Sequence, residues 1–560
     1  MSRSYTPSTS ATVPPLTPGT TSAAPIARPR TTWPGEVRSP PSATGTVGLP
    51  DCSVRTRSKV VVRDRRAAAP HVWDAAAMNR PAVAMVCLGL LLTACGDGDP
   101  ETSEAAPSTG PAVEFVSRPD LVAPDLEVDQ RGPARSPDGS LLFLGPKSEG
   151  APLTGVLIVD DAGDPVWIHP TESRAYDVRV QELDGEPVLT WWRGESPTVG
   201  LGAGEFVLVD ESYSEIGTVT TGAPLEPGQA DIHEGRLTDR GTMLLAAYVK
   251  QEHDLTSVGG SEDGWVWDGV VQEVDVDTGE VLLHWSALEH VPLEETRSEL
   301  PEDGGTEEEP FDWFHVNSVA EDADGSLLVS ARNTWAVYDV DRATGEVAWT
   351  LGGEASDFAL GDGVEFAWQH DAERQPDGTL TLFDNQSEPD VGPTSRGLRL
   401  ALDEQAMTAA VVTEYLPPDP DRLAGSQGSF QQLPDGTVLI GWGSRPFYSE
   451  FADDGTLLTD VALGSGDNYR AYRDRWTGRP ETDPDAVLAD GRVHVSWNGA
   501  TEVAAWRVVT GEDEESAVAG DPVPRTGFET AVPLDGDPAY VAVEALDADG
   551  GVLGSTVLGD

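Results

Sequence analysis

Four short segments of this sequence carry side chains able to grip and attack a compact anion. They are Asp231-Ile232-His233-Glu234-Gly235, Asp312-Trp313-Phe314-His315-Val316-Asn317-Ser318, Ser330-Ala331-Arg332-Asn333 and Phe366-Ala367-Trp368-Gln369-His370-Asp371-Ala372. An imidazole is mostly neutral near pH 7, so His233, His315 and His370 can act as nucleophile, acid or base. Arg332 offers a planar fork of donors that keeps its charge. His315 and Asn317 are two apart; on a strand, alternation would turn both to one face.

Alone, each residue has a plainer reading. His233 could close its own loop, His315 and Asn317 could be a hydrogen-bonded strand pair, and Arg332 reads more readily as a surface ion pair. Several histidines could also ligate a metal, but Arg332 would oppose a cation, so no metal is expected. Trp313, Phe314, Trp335 and Trp368 flank these residues. They could wall an aryl group or simply pack a core. His169, His253, His284, His290 and His494 read as surface or strand residues.

The elements that must position these residues are strands. A Gly turn followed by an apolar run recurs at Asp138-Gly139, Asp184-Gly185, Arg240-Gly241, Asp324-Gly325, Asp377-Gly378 and Asp435-Gly436. Each glycine supplies the positive φ of a tight hairpin. A second strand pair often follows, ending in Trp, as at Val166-Trp167, His284-Trp285 and Trp349. Six such units, spaced by roughly 45 to 85 residues, are the signature of four-stranded blades repeated around an axis. The expected fold is all-β, a six-bladed β-propeller over residues 113–484. The acidic stretch Glu294 to Pro310 reads as an inserted surface loop. Alternating runs after residue 485, such as Val493 to Trp497 and Val503 to Val508, predict a small β-sandwich-like module over residues 485–560.

Ahead of the propeller the text changes twice. Residues 1–77 are basic and rich in Pro, Ser, Thr and Ala, which cannot bury a core. They read as an extension that is not native, with Met78 as the true start. Residues 78–95 then form a short basic start, an apolar run and a small-residue cleavage site, a secretory signal. Its ending, Leu92-Thr93-Ala94-Cys95, resembles a bacterial lipobox, which makes Cys95 the lipidated first residue of an exported, envelope-anchored protein on the periplasmic or extracellular face. Residues 96–112 read as a flexible linker.

Charge and cysteine content narrow the partners. With 36 Lys+Arg against 96 Asp+Glu, the formal net charge is -60. Nucleic acid and anionic membrane surfaces would be repelled, leaving the lipid anchor as the expected membrane contact. The three cysteines, Cys52, Cys87 and Cys95, leave the folded body without thiol chemistry.

Taken in order, the four segments resemble the arylsulfotransferase family. Leu382-Phe383-Asp384-Asn385, Ser395-Arg396-Gly397, Trp349-Thr350-Leu351-Gly352-Gly353 and Tyr472-Arg473-Asp474-Arg475-Trp476 extend the match across about Val113 to Val508. The resemblance implies a six-bladed propeller that moves a sulfuryl group between phenols, without a nucleotide sulfate donor and without a cofactor. It implies His370 as the transiently sulfurylated nucleophile and His233 as acid or base. His315, Asn317 and Arg332 would hold the sulfuryl oxygens, so aryl sulfates and phenols are the expected small-molecule partners. The chemistry agrees. Sulfuryl transfer resembles phosphoryl transfer, which calls for in-line positioning and fixed donors rather than covalent elaboration. In so acidic a chain the site must be locally basic, and Arg396 or Arg399 could join Arg332 there. Two other readings use the same fold: a ligand-binding propeller lipoprotein without turnover, and a metal-dependent lactonase, which would want carboxylate ligands on several blades.

Overall fold

The Asp-Gly turns set the strand ends. Asp324 accepts the amide of Ser326 at 3.0 Å, Asp377 that of Thr379 at 3.0 Å and Asp435 that of Thr437 at 2.9 Å. The intervening glycine sits at positive φ each time, 91° at Gly325 and 87° at Gly436, where a Cβ would be strained. The runs that leave these turns are apolar and β-branched, and they pair as antiparallel hairpins.

The computed structural model describes residues 112–133, 138–147, 150–198, 200–302, 304–387, 390–464 and 467–558. The expected N-terminal extension, the signal segment with Cys95, and all but the last residue of the expected linker lie outside these. That last residue, Ala112, already pairs with Pro124 in a two-stranded sheet. Among the described residues no helix is long and apolar enough to cross a membrane.

The main body is an all-β ring of six blades. Counted outward from the axis, blade 1 is Tyr472–Arg475, Ser140–Leu144, Gly155–Val159 and Pro165–Pro170. The innermost strands of blades 2 to 6 are Tyr176–Leu183, Ala230–Leu237, Val316–Glu321, His370–Arg374 and Ser429–Gln432. Blades 2 and 3 merge into one eight-stranded sheet, because Ala230 also pairs with Gly204.

Two pairings close the ring. The late strand Tyr472–Arg475 forms the inner edge of blade 1 beside Ser140–Leu144, and the early strand Glu127–Gln130 adds an outer strand to blade 6 beside Leu457–Ala462. The cores follow the same circle. Leu144 and Leu439 share one cluster, Phe143 and Trp191 the next, then Trp192 and Met243, Trp285 and Phe314, Leu351 and Leu382, and Phe383 and Phe430. Each cluster is a sheet-on-sheet interface, so the apolar face of every blade is buried by its neighbour.

After the ring, Asp485–Ala489, Arg492–Ser496 and Glu529–Pro533 make one sheet. Ala505–Gly511, Tyr540–Leu546 and Val552–Val557, with two short strands, make a second. Trp506, Val493, Val495 and Val543 fill the space between them. This module seals the outer edge of blade 1. Asn498 both donates to and accepts from the backbone of Ile168, each at 2.9 Å, which occupies a strand edge that would otherwise lie open.

Candidate functional site

The innermost strands all run the same way along the axis, so their starts and the turns between second and third strands lie on one face. His233, His315 and His370 stand at the starts of the inner strands of blades 3, 4 and 5. Arg332 follows the second strand of blade 4, Leu327–Ala331, and Asn385 that of blade 5, Leu380–Asp384. Residues from three blades thus meet on one face.

Bulges decide what they point at. The pairing register shifts near the start of the inner strand in blades 2, 3, 4 and 5. Asp177, His315 and Asp371 sit there at φ of 53°, 58° and 54°. A bulge breaks alternation and re-aims side chains. Consecutive residues then both face the axis. His233 and His370 join the site, while their neighbours Glu234 and Asp371 reach Arg470 below it.

Each imidazole is held by Nδ1. His315 Nδ1 lies 2.5 Å from Asp312 Oδ2, and His233 Nδ1 bonds to Asp231 Oδ1. The Asp231 carboxylate also takes the amides of His233 at 3.0 Å and Gly202 at 2.5 Å. His370 Nδ1 faces the Trp368 carbonyl at 2.9 Å and Asn385 Oδ1 at 2.8 Å. Asn385 directs its amide nitrogen at the carbonyls of Ala424 and Gln427, so its oxygen faces His370. In its neutral form each ring therefore carries its proton on Nδ1, leaving a lone pair on Nε2. In His370 that lone pair accepts the Gln427 amide at 3.2 Å. In His233 and His315, Nε2 has no hydrogen-bond partner among the described residues.

The three imidazoles and Arg332 form one electrostatic unit. The rings of His233 and His315 meet edge to face at 4.8 Å. Burial, reinforced by Arg332, drags His315 down to about 4. Burial also holds His370 well below the ordinary imidazole value, with His233, Arg332 and His315 adding to the shift and Asn385 opposing it. At neutral pH both rings are uncharged, and Arg332 brings a fixed positive charge beside them. Its Nε donates to Asn333 Oδ1 at 2.9 Å, its fork lies 3.9 Å from Asp312, and its guanidinium stacks 5.1 Å from the Trp368 ring centre. Tyr248 and Tyr469 enclose the pair: their rings lie 6.0 and 5.8 Å from His233. From blade 2, Gly200 is placed so that a Cβ there would sit 3.8 Å from His315 Cε1.

Two sequence expectations need correction, and a question left open is decided. His315 and Asn317 do not share a strand face, because His315 precedes the strand in a left-handed conformation. Asn317 instead donates to the Gln369 carbonyl at 2.6 Å, bracing the residue before His370. Its oxygen is buried without a partner. Arg396 and Arg399 do not join the site: Arg396 is paired with Asp384 and Glu414, and Arg399 with Asp377 and Asp453. Of the four aromatics, Trp313 and Phe314 are fully buried in the core between blades 3 and 4.

Arg470 is the cation the sequence did not reveal. It is fully buried. It reaches Asp177 of blade 2 at 3.1 Å, Glu234 of blade 3 at 3.2 Å, the Asn317 carbonyl of blade 4 at 2.9 Å and Asp371 of blade 5 at 3.8 Å. Phe430 of blade 6 donates its amide to Asp371 at 2.9 Å. This network ties blades 2 to 6 together beneath the histidines. Asp231 and Asp312 were also missed, although each precedes its histidine by two or three residues and that spacing was visible. Gln427, Tyr469 and Arg470 lie outside the four segments and carried no such signal.

Residues 179–464, just over half of the chain, match the model of the arylsulfotransferase (ASST) family. The chain belongs to the arylsulfotransferase family. The match runs from blade 2 to blade 6 and contains His233, His315, Asn317, Arg332 and His370. Membership gives the general activity, aryl sulfotransfer. No curated protein matches the sequence. Among solved structures, a protein of unknown function from Bacteroides caccae is 12% identical, covering 60% of this chain and 100% of its own, with a TM-score of 0.38. The β-propeller domain of a Myceliophteria thermophila protein is 9% identical over 62% of this chain and 88% of its own, at a TM-score of 0.30. A virginiamycin B lyase from Staphylococcus aureus is 10% identical over 67% and 97%, at 0.27. Overlaps this shallow decide nothing; the ring of blades rests on the strand pairing described above.

Proposed function

We propose that this protein carries a sulfuryl group from a phenolic sulfate ester to a phenolic acceptor by way of His370, in two half-reactions and without a nucleotide sulfate donor. The observation that carries this reading is the fixed tautomer of His370, a neutral buried imidazole whose Nε2 lone pair meets the Gln427 amide and whose ring lies within the electrostatic reach of His233, Arg332 and His315. In the first half, the Gln427 amide releases Nε2, Nε2 bonds to sulfur, and the S–O bond to the aryl group breaks. The phenolate leaves with little help, since a phenol has a pKa near 10. The sulfurylated ring is then cationic, and the oxygens of Asn385 and Trp368 stabilise its Nδ1–H. In the second half, the acceptor oxygen bonds to sulfur and the N–S bond breaks. The acceptor's proton passes to the unpartnered Nε2 of His233 or His315. Arg332 supplies the fixed charge for the sulfuryl oxygens throughout.

The same reading places the protein outside the cytoplasm, tethered through lipid on Cys95, because the Leu92-Thr93-Ala94-Cys95 ending supports acylation there. Release of the protein from the membrane fraction by Cys95→Ser tests that part.

For the chemistry, the purified protein is mixed with a chromogenic aryl sulfate, with and without a phenol acceptor, beside His370→Asn. Phenol release that rises with acceptor and disappears in the variant supports the reading. Mass spectrometry of the acid-quenched enzyme should find one added sulfuryl group on the peptide containing His370. No release from a panel of aryl sulfates by folded protein would favour the ligand-binding propeller instead.

A further inference from the structure

Two tryptophans on the site face are held in a conformation that tryptophan avoids. Trp335 closes the turn that begins at Arg332, with its amide 3.2 Å from the Arg332 carbonyl, and has φ of 53°. Trp368 precedes His370 by two residues and has φ of 59°. Positive φ in a bulky residue is a true outlier, and such strain gathers at ligand sites. Trp313 and Phe314 belong to the interblade core, whereas Trp335 and Trp368 belong to none of the hydrophobic clusters.

What they do touch is cationic. The Arg332 guanidinium lies 5.1 Å from the Trp368 ring centre, Trp368 lies 6.2 Å from Trp335, and the Arg297 guanidinium lies 5.0 Å from Trp335. The four side chains make a ladder, Arg332–Trp368–Trp335–Arg297, that starts at the charge of the site and runs outward to partly exposed Trp335. Trp368 is also tied to the nucleophile's ring, since its carbonyl accepts His370 Nδ1–H. The indole N–H groups of Trp335 and Trp368 are buried without a partner. Trp368 is only 6% exposed.

Resting on the transferase reading above, we infer that Trp368 and Trp335 form the aryl-binding wall of this site, and that it selects flat, fused-ring aryl sulfates over single-ring ones. With the sulfuryl oxygens against Arg332, the ring of the ester extends along the tryptophans. A second fused ring reaches Trp335 and the face of Arg297, which a single ring does not. Planar rings laid along the tryptophans and guanidinium groups gain stacking and cation–π attraction, while an alkyl chain gains only area.

The test uses Trp335→Leu, because Trp335 is the more exposed member and lies farther from His370; thermal melting checks that the variant folds. Binding of 2-naphthalenesulfonate, whose C–S bond cannot be transferred, is measured by calorimetry on wild type and variant. The ratio of kcat/KM for 2-naphthyl sulfate to that for phenyl sulfate is measured on both. Stacking of this kind corresponds to about a two- to tenfold effect. The expected result is a naphthalenesulfonate affinity weakened about that much and a naphthyl preference lost to a similar degree. Unchanged affinity and unchanged preference in a folded variant overturn the wall and leave the transferase reading intact. If wild type turns over no aryl sulfate yet binds naphthalenesulfonate in a Trp335-dependent way, the wall stands and the transferase reading falls. If wild type binds none of the sulfonate and shows no naphthyl preference, the wall is overturned directly.

Discussion

Asp312 Oδ2 lies 2.5 Å from Nδ1 of His315 and 3.9 Å from the guanidinium of Arg332. One carboxylate therefore sets both the tautomer of a neutral base and the place of the site's fixed charge. Burial works against its ionisation, but His315 and Arg332 outweigh that and hold it below the usual carboxylate range.

Replacing Asp312 with Asn should keep the shape and lose the orientation. An amide can offer Nδ1 a donor instead of an acceptor, so the His315 proton can move to Nε2. The expected loss in kcat is about a hundredfold, the usual scale for a misplaced acid–base group, with a smaller change in KM. Steady-state kinetics on a chromogenic aryl sulfate measures the split. A kcat within twofold of wild type would remove Asp312 from the mechanism.

Acid should begin to destabilise the fold above the ordinary carboxylate range. His315 falls to about 4 in the folded protein from 6.5. Between those values the unfolded chain binds the proton and the folded one does not, so stability falls as pH falls from about 6.5 to 4. The full effect for this ring is at most about 3 kcal/mol, and His370 adds in the same direction. Denaturant midpoints across that range measure it. His315→Gln should flatten the dependence.

Arg470→Met should be severely destabilising. It removes one cation from Asp177, Glu234 and Asp371, buried carboxylates from three blades; Asp177 and Glu234 keep Arg179, while Asp371 loses its guanidinium. Leaving buried charge uncompensated costs about 3–5 kcal/mol. Denaturant unfolding of the variant is the measurement, and a loss below about 1 kcal/mol would mean that the network is solvated.

Salt should speed capture of the substrate. A chain of formal charge -60 repels an anionic aryl sulfate at long range, and salt at about 0.1 M screens beyond about 10 Å. We expect kcat/KM to rise a few-fold from low to moderate ionic strength while kcat changes little. A neutral phenol acceptor, varied in its own right, should show no such rise.

The sequence alone determined the repeat, and through it the architecture. Hairpin turns need glycine at positive φ and blades need apolar alternation, and both are local properties that read directly from residues in order. The family segments likewise contained His233, His315, Arg332 and His370, which the structure brings to one face, because a side chain must be present as a type before it can be placed. Tertiary structure alone decided where those side chains point. Alternation predicts one face for His315 and Asn317, but the bulges at the inner strand starts overrule it. They bring neighbours such as His370 and Asp371 both to the axis, one to the site and one to Arg470. It also decided the partners. Arg470 gathers carboxylates from three other blades, and Gln427 reaches His370 from the next blade. Such contacts arise from ring closure, in which strands distant in sequence become adjacent around one axis, and no local pattern encodes which of them will meet.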